Sequence, residues 1–161
     1  MPSLSKVTSI ARPTSERVEM TAGYFAAVVA VVAVLLWTLF WGYHYYAFTT
    51  TSPLAAVMVG AYAILIVVPV AFAVGYLGVK AYRPTQWLDG TIVGLIATLT
   101  VYAESIAVVG VLLATSTLLG FNSIDPFGGM YFFGGLGIWT SYFITFPLGA
   151  LAGAFYGHVL A

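Results

Sequence analysis

The sequence predicts an all-α integral membrane protein, a bundle of four transmembrane helices, and three observations carry this prediction. Of the 161 residues, 61% are hydrophobic and 6% are charged, a composition outside that of ordinary soluble domains. Two long stretches, 20–79 and 126–161, contain no Asp, Glu, Lys or Arg. Turn-forming residues interrupt the apolar sequence at intervals that suit helices crossing a hydrocarbon core, which takes about 20 residues.

The first two predicted spans share the longer uncharged stretch. The first covers 21–47 and ends at a short polar link. Ser52-Pro53 then has the pattern of an N-cap followed by a first-turn proline, so the second span begins at 54. It ends at 79, because the cations and the proline in 80–84 favour a helix C-terminus and prevent its continuation.

The last two spans are predicted by the same turn chemistry. The third covers 90–119, with Asp89 expected as its N-cap residue. The fourth covers 127–160, because Asp125-Pro126 repeats the cap-then-proline pattern.

The domain organisation follows from these spans. We expect a single transmembrane domain over 21–161, preceded by a cytoplasmic segment over 1–20 that is retained rather than cleaved. Leu4, Val7 and Ile10 recur in that segment at helical spacing. The segment is therefore either an interfacial helix on the inner membrane surface or on a partner subunit, or a flexible tail.

The basic residues predict the orientation. All five either precede the first span or lie between the second and the third; they are Lys6, Arg12, Arg17, Lys80 and Arg83. Positive charge flanks transmembrane helices on the cytoplasmic side. We therefore predict a multi-pass protein with both the N- and the C-terminus in the cytoplasm.

Composition also excludes several classes of function. The formal net charge is zero, so a nucleic-acid partner is not expected. The chain has no cysteine, which excludes a thiolate metal site, and we expect no bound metal. Motifs for phosphate loops, metalloproteases or serine hydrolases are absent from the sequence. We therefore predict no catalytic activity, although the chain could be a non-catalytic subunit of a membrane enzyme complex.

Glu104 carries the sharpest functional hypothesis. It lies at the centre of the third span, roughly 20 Å from either end, and a carboxylate at that depth is costly. In one interpretation it exchanges a proton or binds a cation; in the other, a neutral Glu104 donates a hydrogen bond to the Leu65 carbonyl, to Tyr142 or to a partner subunit. The candidate ion or proton site comprises Glu104, Tyr102, Ser105, Ser141, Tyr142 and Thr145.

The residues around Glu104 also resemble a known family. The string 102–110, following Arg-Pro-Thr-Gln at 83–86, is similar to the carboxylate helix and basic-proline loop of rotary ATPase proteolipids. The resemblance implies that Glu104 is an ion-carrying carboxylate. The chain departs from that family in the span 54–79, which lacks the dense glycine ladder of the proteolipids.

A stripe of small residues predicts helix packing. Gly149, Gly153 and Gly157 repeat every four residues along the fourth span, which lets another helix approach closely. The sequence leaves open whether that helix belongs to the same chain or to another one.

Aromatic residues and histidines limit the choice of cofactor. Trp37, Trp41 and His44 lie on one stripe of the first span, which is either an interfacial aromatic cluster or a surface for a pigment, a quinone or a lipid headgroup. His44 and His158 are predicted on opposite membrane faces, so we expect no haem held between two histidines within the chain. Bound lipid is expected.

These features together favour one function over two others. We expect a small accessory or structural subunit of a larger integral membrane complex, energy-converting or transporting, that packs against partner helices and orders lipid or cofactor. The first alternative is a homo-oligomeric, proteolipid-like proton or cation conductor that uses Glu104. The second is a small-molecule membrane carrier with a polar cavity.

Overall fold

The computed structural model describes residues 15–49, 52–121 and 123–160, and these residues form helices joined by short links. Each helix is long and apolar enough to cross a membrane, which confirms the predicted all-helical class and the four predicted helices. The helices are α1 (Ser15–Phe48), α2 (Leu54–Ala81), α3 (Trp87–Leu118) and α4 (Pro126–Leu160).

Helix α1 begins well before the predicted span. It starts at Ser15, because the residues up to Met20 include good helix formers that continue the helix beyond the apolar stretch. Leu4, Val7 and Ile10, on which the interfacial interpretation of 1–20 depends, lie outside the described residues.

Helix α2 begins at the predicted residue. The Leu54 N–H donates to Ser52 Oγ at 3.3 Å, although Pro53 occupies the N-cap position. The helix ends at Ala81, and the N–H of the extended Tyr82 donates to the Gly78 carbonyl at 2.8 Å.

Helix α3 begins earlier than predicted, at Trp87. The extended Gln86 is its N-cap residue, so the expectation that Asp89 caps the helix is wrong. Asp89 lies in the first turn and accepts a hydrogen bond from Thr85 Oγ1 at 3.2 Å. A carboxylate is favourable there as well, because it faces the positive end of the helix dipole.

The link between α3 and α4 follows two standard capping patterns. Gly120 has φ +75°, and the Phe121 N–H donates to the Ser116 carbonyl at 2.9 Å, which forms a Schellman C-cap. Asp125 then accepts a hydrogen bond from the Gly128 N–H at 2.6 Å. The predicted N-cap at Asp125, with Pro126 as the first helical residue, is confirmed.

The helices pack as two hairpins. Helices α1 and α2 form the N-terminal hairpin, and α3 and α4 form the C-terminal hairpin. Within each hairpin the helices are in contact along much of their length, whereas α2 against α3 and α1 against α4 pack less extensively. Large apolar side chains are exposed along all four helices. Small residues occupy the interfaces instead, as they do where lipid is the solvent.

Alanine dominates the interface of the N-terminal hairpin. Ala22, Ala30 and Ala33 of α1 are buried, as are Ala56 and Ala71 of α2. Each of these side chains is a single methyl group, so the two helix axes can lie close together.

Glycine from both helices forms the interface of the C-terminal hairpin. A Cβ added at Gly153 would contact the carbonyl oxygen of Gly90 and lie 2.8 Å from the Cα of Gly94. A Cβ at Gly149 would lie 3.1 Å from the carbonyl oxygen of Gly94, and one at Gly157 would lie 3.1 Å from the Cα of Gly90. The predicted glycine stripe of α4 therefore packs within the chain, against a second glycine pair on α3.

The basic residues of the described helices and links lie at one end of the bundle. Arg83, in the link between α2 and α3, approaches Glu19 of α1 to 4.0 Å. Tyr156, near the end of α4, donates a hydrogen bond to the Val18 carbonyl at 3.2 Å. Asp125 lies at the opposite end, where α4 begins.

Candidate functional site

Glu104 lies near the middle of α3 and is exposed on the outside of the bundle. No hydrogen bond or ion pair joins it to another residue in 15–49, 52–121 or 123–160. Its neighbours on the same helical face are exposed too. We call this surface the outer α3 strip; it comprises Ala103, Glu104, Ala107, Val108 and Val111.

Three of the other predicted site residues form a hydroxyl cluster between α3 and α4. The Tyr102 hydroxyl is hydrogen-bonded to Ser141 Oγ and, at 2.6 Å, to Thr145 Oγ1. The Tyr102 ring also stacks on Phe146, with 6.2 Å between the ring centroids. These contacts join the two helices of the C-terminal hairpin at the depth of Glu104.

Two hydroxyl groups of this cluster also contact backbone carbonyls. Ser141 Oγ donates to the Gly137 carbonyl at 2.6 Å, and Thr145 Oγ1 donates to the Ser141 carbonyl at 3.1 Å. Each hydroxyl carries a single proton, so the three hydroxyls share three protons among these four contacts. Every hydroxyl has partners within the hairpin, and the cluster fastens its two helices together.

The structure separates Glu104 from the hydroxyl cluster. Glu104 follows Tyr102 by two residues, which corresponds to a rotation of about 200° around a helix, so the two side chains point to different sides of α3. Tyr142 is also exposed, and its ring contacts Trp139 and Phe143 rather than Glu104. Of the six predicted site residues, the structure thus brings together Tyr102, Ser141 and Thr145.

Ser105 is the remaining residue of the predicted site. Its Oγ is buried and has no hydrogen-bond partner among the described residues. It lies next to Glu104 in the chain, but it is partly buried whereas Glu104 is exposed.

The aromatic candidates in the C-terminal half of α1 connect the two hairpins. The Trp37 Nε1–H donates to Thr140 Oγ1 at 3.2 Å, and the Trp41 Nε1–H donates to the Thr140 carbonyl at 3.1 Å. His44 packs against Trp41, with 5.2 Å between the ring centroids. Both indole N–H groups therefore bind α4, and the pigment or quinone interpretation stays a prediction.

The two histidines lie at opposite ends of the bundle. His44 is near the C-terminal end of α1, whereas His158 is in the last turn of α4. Within the described residues, no three His, Cys, Asp or Glu side chains form a group that could hold a metal ion.

The pairing of Glu19 with Arg83 was not predicted from the sequence. Glu19 is buried, with 8% of its surface exposed, whereas the Arg83 side chain is 52% exposed. The only available signal was that both residues flank predicted spans at the same membrane boundary. That signal places both residues at the same depth, but it does not show which helices lie side by side in the bundle.

Comparison with known proteins gives no relative for this arrangement. No protein-family model, curated protein or solved structure matches the chain.

Proposed function

We propose that the chain is inserted in a membrane with both termini in the cytoplasm, and that it is a small accessory subunit of a larger membrane assembly. In this assembly the outer α3 strip packs against a transmembrane helix of another protein. The grouping of Arg17, Lys80 and Arg83 at one end of the bundle supports the orientation. The carboxyl group of Glu104, which is exposed and has no hydrogen-bond partner within 15–49, 52–121 and 123–160, carries the functional proposal.

The energetic cost of this carboxyl group is the main argument. An ionised acid at the centre of a membrane helix costs about 3 kcal/mol on insertion scales, and a neutral acid without a hydrogen-bond partner is also unfavourable. Glu104 is too far from either end of α3 for its side chain to reach water. Lipid tails offer no hydrogen-bond donor or acceptor, whereas a helix of another protein can supply one.

The shape of the outer α3 strip favours a helix as the partner. Ala103 and Ala107 lie next to Glu104 on α3 and are exposed. Small side chains let a second helix approach closely enough to hydrogen-bond a short acid. The strip therefore combines close approach with a polar group that needs a partner.

A crosslinking experiment in native membranes tests the contact. A photoreactive residue at Ala107 is expected to attach to a second, different polypeptide. The matched control places the same residue at Leu65, which is 71% exposed near the middle of α2, and is expected to give less of that product. Equal yields from the two positions would argue against a specific α3 interface.

Substitution of Glu104 separates the accessory subunit from the conductor. Glu104→Gln keeps hydrogen bonding but cannot ionise, so the accessory subunit should retain its crosslinked partner, whereas Glu104→Leu should lose it. Val111→Leu changes the same strip without removing a polar group and serves as the control for Glu104→Leu.

The homo-oligomeric conductor is the second candidate, because copies of the chain in one membrane hold their outward-facing Glu104 residues at the same depth. It predicts crosslinks only between copies, and a proton flux in liposomes that Glu104→Gln abolishes while the oligomer persists. A chain that crosslinks to no protein and conducts no ions contradicts both proposals. The carrier hypothesis stays a prediction that no observation favours over these two.

A further inference from the structure

An apolar groove lies between α1 and α4. It lies near the middle of the two helices, and the contacts that join the helices lie closer to their ends. Val28 and Val32 line it from α1, and Leu148 and Leu151 line it from α4. Its volume is about 250 Å³. Val28 and Leu151 are 59% and 68% exposed, so the groove is open to the outside of the bundle.

A second concavity lies next to the groove along α1, towards the end that carries the basic residues. It is lined by Arg17, Met20, Thr21 and Tyr24 and has a volume of about 380 Å³. Arg17 is exposed. This concavity therefore offers a cation, the Tyr24 hydroxyl and an apolar wall, whereas the Thr21 hydroxyl donates to the Arg17 carbonyl at 2.7 Å.

We propose that the two concavities form one binding site for an anionic phospholipid, with its headgroup against Arg17 and an acyl chain in the groove. At 1.5 Å per residue, Val32 lies about 22 Å from Arg17 along α1. One leaflet with its headgroup region is about 20–22 Å thick. The cation and the groove are thus separated by the length of one lipid.

Charge favours this occupant over a protein helix. Membrane leaflets that carry anionic lipids attract exposed basic residues at their surface, and Arg17 is such a residue. The site uses α1 and α4 and does not depend on the outer α3 strip or its proposed partner.

The headgroup contact is tested with the full chain in a mild detergent. Native mass spectrometry compares the retention of phosphatidylglycerol with that of phosphatidylcholine bearing the same acyl chains. The wild-type chain is expected to retain phosphatidylglycerol preferentially, and Arg17→Gln is expected to reduce that preference about fivefold. Lys80→Gln is the matched control, because Lys80 is exposed at the same end but lies outside the concavity. An equal loss in both variants would overturn the proposal.

The acyl-chain contact is tested by filling the groove. Val32→Trp is expected to reduce the retention of both lipids, whereas Leu35→Trp, on the same helix but outside the groove, should not. The proposal is overturned if the two variants retain lipid equally, or if Val32→Trp instead dissociates a dimer, which would identify a second copy as the occupant. Glu104→Leu should leave lipid retention unchanged, so this test and that of the accessory function can fail separately.

Discussion

The two hairpins both pack through small residues, but they differ in which atoms meet. In the C-terminal hairpin, the backbone of α3 contacts the backbone of α4 where Gly153 packs against Gly90 and Gly94. In the N-terminal hairpin, side chains fill most of the space that glycine leaves, although a Cβ at Gly75 would also lie 2.7 Å from the carbonyl oxygen of Ala22. A Cβ at Gly60, for example, would meet the hydroxyl of Thr38.

This difference determines how each interface can respond to change. A side chain can rotate away from an added atom, whereas a helix backbone moves only if the whole helix shifts. Close backbone contacts also permit weak Cα–H···O bonds between helices. We therefore expect the C-terminal hairpin to tolerate substitution less than the N-terminal hairpin, although both interfaces are formed by small residues.

The largest expected effect is that of Gly153→Ala. The added Cβ would meet the Gly90 carbonyl and lie 2.8 Å from the backbone N and Cα of Gly94, so the two helices must separate. We expect overpacking of this kind to lower the free energy of unfolding by about 3 kcal/mol. Reversible unfolding in mixed detergent micelles measures this change.

The control for this prediction is Gly135→Ala on the same helix. A Cβ at Gly135 meets no atom within 4 Å, and alanine has a higher helix propensity than glycine, so this variant should be neutral or more stable. Equal stability of Gly153→Ala and Gly135→Ala would remove the proposed distinction between the hairpins.

An intermediate effect is expected for Gly60→Ala in the N-terminal hairpin. Its Cβ would meet Thr38 Oγ1, whereas the Thr38 Cβ lies 3.3 Å away. The variant should lose about 1–2 kcal/mol of unfolding free energy, and Thr38→Ala should relieve most of that loss because it removes the obstructing hydroxyl. Such coupling between neighbours is measured with a double-mutant cycle.

The same Thr38→Ala substitution should not relieve Gly153→Ala, because those residues belong to different hairpins. A cycle in which Thr38→Ala and Gly60→Ala are simply additive would show that the helix backbone, and not the Thr38 side chain, limits the interface at Gly60.

The sequence predicts where each helix begins and ends better than it predicts which helices pack against each other. The start of α2 at Leu54 and the Asp125-Pro126 cap follow from local turn chemistry, which depends only on adjacent residues. The stripe at Gly149 and Gly153 was also visible, but its partner on α3 was not identified. A stripe of small residues shows which face of a helix packs closely; it does not show which helix packs there.

The same limit applies to the candidate site. The depth of Glu104 follows from its position in the span, but its outward direction does not, because the exterior of a membrane bundle is as apolar as its interior. The contact of Tyr102 with Ser141 needed the register of the antiparallel helices. Gly94 lies opposite Gly149, and the same number of residues separates Gly94 from Tyr102 as separates Ser141 from Gly149.

The smallest expected effect concerns the contact between the hairpins at Thr140. Trp37 donates to the Thr140 hydroxyl, whereas Trp41 donates to its carbonyl, so Thr140→Val removes only the acceptor of Trp37. A cycle of Trp37→Phe with Thr140→Val should give a coupling of about 0.6 kcal/mol, the usual value for one hydrogen bond between membrane helices. The cycle cancels the packing lost when an indole becomes a phenyl ring.

The matched cycle of Trp41→Phe with Thr140→Val should give no coupling, because the carbonyl acceptor of Trp41 survives the change to valine. If both cycles couple equally, the tryptophans act on Thr140 through packing. The contact between the hairpins would then depend on side-chain fit, as the contact of Gly60 with Thr38 does, and not on close approach of backbones, as the contact of Gly153 with Gly90 does.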